Sequence, residues 1–317
     1  MNSPKNSQSG LSIVEALVTM VILLIVMGGV YQIFQSNSLT YRMQQGMSRM
    51  QESGRFAMDF MLNDIRMAGY LGCVSSGTVT NNLANATGIN DYSFAVQEFS
   101  SHPNQLIIRR ALDKRVDILG IDSQTNSTTT LEIDDTDFSF DANEFLVVNN
   151  CEAIFITSAQ GASNNGTLQV AGGNIPNNFL TNNMGEVLNV GAITYYVQQD
   201  PSNNNILSLY REVSHHTTTA QPIVEGIDAI RFWYGIDTNN DRSVDDFVDA
   251  AGVSDWSQVR SIRIALLAAS PEEIRGMEPD ATPSYTLLGD TIIPATDDRR
   301  KLRRVFEASI GIRNQLQ

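Results

Sequence analysis

Apolar residues fill the chain from Leu11 to Val30, with Glu15 as the one charge among Val, Leu, Ile, Met, Ala and Gly. That run has the ~20 residues a helix needs to cross a bilayer. No turn residues follow it, and the pattern passes through Tyr31-Gln32-Ile33-Phe34 into an amphipathic stretch. There Arg42, Arg49, Glu52, Arg55, Asp59, Asp64 and Arg66 interleave with Met43, Met47, Met50, Phe56, Phe60, Met61 and Ile65. Ala57, Phe60, Met61, Asp64, Ile65 and Ala68 recur at helical spacing, which predicts a stripe packed on a sheet. Gly28-Gly29 inside the apolar run, and later Gly46 and Gly54, weaken a helix locally, and in a membrane or filament core such glycines allow bending or close approach. Gly69 is placed to end the helix as its C-cap.

Past residue 70 the period shifts from helical spacing to two. Short apolar runs occur at 106–110, 145–148 and 206–210. Clean alternation occurs at 151–157, at Ile193-Tyr195-Val197, at Ile230-Phe232-Tyr234, at Arg260-Ile262-Ile264-Leu266 and at Phe306-Ala308-Ile310-Ile312. Such runs between Asn-, Asp- and Gly-rich turns predict an antiparallel sheet with one face against a helix. Residues 74–103 are polar and turn-rich and read as a loop. The expectation is an α+β chain of four parts: a leader at 1–10, a membrane-spanning helix half at 11–30, an amphipathic half at 31–69, and a β-rich domain at 70–317.

The amino-terminal run has three readings. A secretory signal would have a shorter apolar core and a small-residue cleavage site after it, and none follows here. A plain signal anchor fits the length but leaves Glu15 without a purpose. A carboxylate at the centre of a span costs about 2.5–3.5 kcal/mol on insertion scales, and less near the end where Glu15 lies. The third reading gives Glu15 a partner. Gly10-Leu11-Ser12-Ile13-Val14-Glu15 resembles the class III signal of type IV prepilins, although Leu11 stands where that family most often has Phe. The resemblance implies peptidase cleavage between Gly10 and Leu11 and N-methylation of Leu11. Glu15 would then pair with the terminal ammonium of a neighbouring subunit and set the filament register.

Further residues sharpen the resemblance. Glu52-Ser53-Gly54-Arg55-Phe56-Ala57 and the run Asp64-Ile65-Arg66-Met67-Ala68-Gly69-Tyr70-Leu71-Gly72-Cys73 are similar to the PilW family of minor pilins. So are V-E-G-I-x-x-I-x-F-x-Y-G from Val224, V-R-S-I-R-I-A-L-L from Val259 and R-R-V-F-E-A-S-I-G-I-R-N from Arg303. The middle of the chain has no such match. The resemblance implies a long helix laid on an antiparallel sheet, and a place among the minor pilins that prime filament assembly and can sit at the tip. It implies as partners other minor pilins, the major pilin, the prepilin peptidase, an inner-membrane assembly platform, and membrane lipid before assembly. A pseudopilin of a type II secretion system shares the same start. A signal-anchored periplasmic binding protein would keep its leader and tolerate loss of Glu15.

Composition narrows the chemistry. The formal charge of −14 opposes nucleic-acid binding over most of the surface. The basic run Arg299-Arg300-Lys301-Leu302-Arg303-Arg304 follows Asp297-Asp298 and reads as locally paired. Cys73 and Cys151, an even pair in an exported chain, read as one disulfide or as two buried thiols. Asp237, Asn239, Asp241, Ser243 and Asp245 space oxygen side chains two apart, as a calcium loop does. Arg242 replaces the usual turn Gly, and Val248 replaces the bidentate Glu, so the other reading is a solvated acidic turn. No nucleophile elbow, zinc motif or phosphate loop is present. The expected role is structural, not enzymatic.

Overall fold

The computed structural model describes residues 12–73, 78–83, 87–98, 104–134, 137–172, 175, 185–201, 203–215, 217–280, 282–294 and 299–314. Gly10 and Leu11 lie outside them. One helix, α1 (Ile13–Arg66), runs unbroken for 54 residues, about 80 Å at 1.5 Å per residue. No side chain between residues 12 and 37 is buried. The second half is different: Gly46, Met50, Gly54, Ala57, Met58, Met61, Asp64 and Ile65 form a buried stripe. Phe60, expected in that stripe, is 47 % exposed instead. At 100° per residue it points about 90° from the stripe's centre, so helical spacing alone overstated its burial.

Past α1 the regular structure among the described residues is mostly strand. β1 (Thr78–Asn81) and β2 (Val96–Gln97) fall in the segment expected to be loop. β3 (Leu106–Gln124), β4 (Thr128–Ile133), β5 (Phe145–Asn149), β6 (Ala153–Ser158) and β7 (Thr167–Ala171) follow. Then come β8 (Glu186–Asp200), β9 (Asn203–Ser214) and β10 (Thr218–Glu225). These ten strands form one sheet, antiparallel except that β1 pairs parallel with β6. Its two long strands change partners along their length. β3 pairs β8 through Asp117 and β4 from Ile118 onward. β8 pairs β5 at residues 186–189 and β9 from Ala192 onward.

A second sheet holds β11 (Ile227–Ile236), β12 (Asp246–Val248), β13 (Val259–Ala269) and β16 (Arg303–Gly311) in the order β12-β11-β13-β16. The small hairpin β14 (Tyr285–Leu287) and β15 (Asp290–Ile292) lies against its outer face. Gly226 alone joins the two sheets. Its N–H donates to Leu207 of β9 at 2.9 Å, and its carbonyl accepts from Ala269 of β13 at 2.8 Å. The residue sits at φ +76°, and a Cβ there would meet the Ala269 oxygen at 2.6 Å. Only glycine serves both sheets at that point.

Two cores result. One lies between α1, the start of β3, the far half of β8, β9 and the second sheet, and includes Met50, Met61, Ile65, Tyr195, Leu209, Phe232, Ile264 and Leu266. The other fills the middle of the chain and includes Ile118, Leu131, Phe140, Leu146, Val148, Leu168 and Val187. α1 runs alongside β16, and its glycines mark the closest approach. A Cβ on Gly46 would meet the Ile274 side chain at 2.9 Å, and one on Gly54 would meet the Phe306 ring at 2.3 Å. At Gly46 and Gly54 the close approach is to the chain's own sheet domain, while Gly28 and Gly29 have nothing near them. Gly54→Ala should lower stability by roughly 1–3 kcal/mol through overpacking, less up to ~1 kcal/mol of helix propensity gained. Adding Phe306→Leu should restore most of the loss, as read by chemical denaturation. A neutral Gly54→Ala would mean that helix and sheet separate easily there.

Candidate functional site

The feature that sets this molecule apart is a bare apolar half-helix continuous with a half docked on the sheets. Where α1 meets the sheet, Asp64 is the hub. Its Oδ1 accepts from Arg110 Nη2 at 2.9 Å, and its Oδ2 accepts from Arg211 Nε at 2.8 Å and from the Tyr195 hydroxyl. The three partners come from β3, β9 and β8. Burial pushes the Asp64 carboxyl up, but hydrogen bonds from Arg211 and Tyr195 and the charges of Arg211 and Arg110 outweigh it. They hold it below the ordinary value of 3.8. Burial and the Asp64 charge push the Tyr195 hydroxyl well up, so it stays a donor.

The residues after Asp64 each close part of the junction. Ile65 and Ala68 are fully buried in the helix core. Gly69 takes φ +75°, and a Cβ would lie 1.8 Å from the Asn314 oxygen. Its N–H donates to the Arg109 carbonyl at 2.8 Å, and the Ala111 N–H donates to the Tyr70 carbonyl at 2.7 Å. Gly72, at φ +106°, lets the Asn149 amide come within 2.1 Å of where a Cβ would be. That amide donates to the Leu71 carbonyl at 3.2 Å and to Glu186 at 3.0 Å. The Cys73 N–H donates to Glu186 at 3.0 Å. Cys73 and Cys151 are bonded, with Cα atoms 4.9 Å apart, so the two-thiol reading falls away. The run from Asp64 to Cys73 is thus a splice that fixes the helix end to β3, to the turn after β5 and to the start of β8.

Arg109 escaped the sequence reading, which took it as a strand residue. It is buried and donates to the carbonyls of Gly88, Ile89 and Phe94 and to Gln97, pinning residues 88–97 onto β3. Burial lowers its pKa to about 10. A charged residue inside an apolar strand run was the available signal.

Glu15 lies exposed in the first turn of α1, where its carboxylate complements the positive helix end. The acidic loop lies between β11 and β12, and its oxygens are engaged by the chain itself. Buried Asp237 accepts from Arg260 Nε at 3.0 Å and from the N–H groups of Asp241 and Arg242. Asp241 accepts from the Ser243 N–H and hydroxyl, and Asp245 accepts from Thr238 and Asn239. Burial pushes the Asp237 carboxyl up, but Arg260 and the amide donors more than offset it and hold it low. Arg242 sits at φ +70° in the position where a calcium loop has Gly. Among the described residues no group of three or more His, Cys, Asp or Glu is arranged to hold a metal. In the basic run, Arg303 pairs with Asp228 at 2.6 Å; Asp297 and Asp298 lie outside the described residues.

A long helix, apolar and bare in one half and docked on antiparallel sheets in the other, defines a pilin-class subunit. Residues 5–31 match the family model described as the prokaryotic N-terminal methylation motif, and residues 194–314 match the one described as Type IV Pilus-assembly protein W. The chain is accordingly matched to a type IV minor pilin of the PilW family. No curated protein and no solved structure is matched. The second match begins inside β8 and takes in Tyr195 and Arg211, but not Asp64 or Arg110. The middle core and the helix-end run both lie outside the two matched segments.

Proposed function

We propose that this chain primes the assembly of a type IV pilus and takes a position at the filament tip. The observation that carries this reading is the bare apolar half of α1, continuous with a half that is spliced into the sheets. In the precursor that half spans the inner membrane, with the sheet domain on the periplasmic side. In the filament it exchanges lipid for the helices of other minor pilins and the major pilin. Glu15 offsets the terminal ammonium of a neighbour; a charge pair in an apolar core is favourable only in one register, which makes it a positioning device. The middle lobe favours the tip, because repeating it at every subunit would demand room around closely spaced helices.

The test is the amino-terminal mass of the protein from cells with and without prepilin peptidase. The expected mature chain starts at N-methyl-Leu11 and appears only with the peptidase. In the same cells, deletion of the chain should reduce surface pili, and Glu15→Ala should fail to restore them. An intact Met1 terminus in both strains would return the chain to the class of tethered periplasmic modules.

A further inference from the structure

A cleft of about 450 Å³ opens between α1 and the segment after β13, on the domain's end nearest the apolar helix half. Arg42 and Arg49 of the helix line it, together with Arg275, Glu272 and Glu273 of the segment after β13. Arg42, Arg49 and Arg275 are all exposed, and none has a hydrogen-bond or ion-pair partner among the described residues. Arg300 is exposed at the same end, and its carbonyl accepts from the Ile274 N–H at 3.0 Å. A protein of charge −14 thus gathers, at one end, arginines with no partner among the described residues.

The depth of that end is set by the helix. Arg42 lies eight residues past Phe34, about 12 Å along the axis. Helix side chains lean toward the N-terminus, so its guanidinium reaches back over the preceding turn, roughly 6 Å nearer the apolar run. Gly276, next to Arg275, is level with Leu39: a Cβ there would be 3.7 Å from the Leu39 side chain. The headgroup layer of one leaflet is about 5–8 Å thick. With the bare apolar stretch taken through the exposed Ile33 and Phe34, the Arg42 and Arg275 end of the cleft therefore falls at headgroup level when α1 spans the bilayer, and Arg49, about 10 Å farther along the axis, lies beyond it.

We propose that this cleft binds the phosphate of an anionic lipid headgroup while the subunit waits in the membrane, and gives it up on entry into the filament. Guanidinium groups on two sides of a cleft suit phosphate oxygens. Glu272 and Glu273 oppose the phosphate and keep the contact weak enough to release. The proposal rests on α1 crossing the membrane before assembly.

Its test uses the full chain in vesicles of phosphatidylcholine alone and of phosphatidylcholine mixed with phosphatidylglycerol. Flotation reports anchoring, and amide hydrogen exchange reports the cleft. Equal flotation in both is expected, with residues 38–46 and 270–276 exchanging more slowly in the anionic vesicles, by about fivefold for each arginine engaged. High salt should erase the difference. Arg42→Gln with Arg275→Gln should also erase it, and Glu272→Gln with Glu273→Gln should enlarge it. Flotation in both vesicles with identical exchange would overturn the lipid site alone. Failure to float in either would remove the anchoring reading and this one with it.

Discussion

Asp64→Ala is expected to destabilise the docked domain by about 3 kcal/mol, the lower end of the range for breaking a buried ion pair. The loss has two sources. The carboxylate holds three donors from three strands, and its removal leaves the Arg110 and Arg211 guanidinium groups facing each other across the vacated space. Both arginines keep some access to water, which is why the lower end applies. Asp64→Asn should cost less, since an amide oxygen still accepts but carries no charge. The check is a urea titration of the full chain in detergent, read by a probe in α1 and by the sheet's circular dichroism. A change within 0.5 kcal/mol, the usual spread of surface substitutions, would mean that apolar contacts alone hold the helix.

The same cluster fixes the sign of an acid effect. The folded pKa of Asp64 lies below its unfolded value, so folding favours the ionised form. Its contribution is complete above about pH 4 and is lost as pH falls through the folded pKa. Acid should therefore loosen the docked half of α1, and Asp64→Asn should flatten that part of the stability–pH curve.

Loss of the disulfide is the second large effect. Cys73 and Cys151 are 78 residues apart in sequence. Closing such a loop is worth about 4–5 kcal/mol in the chain-entropy model, and measured values more often fall near 2–4 kcal/mol. The bond staples the last residue of the helix splice to the turn between β5 and β6, so its removal should loosen α1 as well as the strands around the middle core. Replacing both cysteines with Ser should lower the melting temperature and make it indifferent to reductant. The unmodified chain should fall to the same temperature when reduced. Unchanged melting in both cases would show that the hydrogen bonds of Asn149 and Glu186 suffice.

Local periodicity carried much of this molecule. The apolar run, the change to an amphipathic helix and the alternating strands are properties of residues a few positions apart, and they appear where the spacing put them; the helix itself ends at Arg66 with Met67 as its cap, three residues before Gly69, which takes the left-handed turn beyond it. Gly54 and Gly69 were legible as glycines, but their neighbours, Phe306 and Asn314, were not. Asp64 looked like one polar member of a helical stripe. Its role depends on residues 46, 131 and 147 positions away, brought together only by the order of β3, β8 and β9. The turn of Phe60 out of the core was likewise invisible, because spacing gives a side chain's angle on the helix but not which arc the sheets cover. Strand pairing is non-local in the same way: nothing in Thr78–Asn81 announces a parallel partner at β6. The sequence by itself determined the long helix, the longer strands and the match to the amino-terminal methylation motif. Which element closes on which, and hence how the bare half of the helix is held, was decided by packing between segments that the chain keeps far apart.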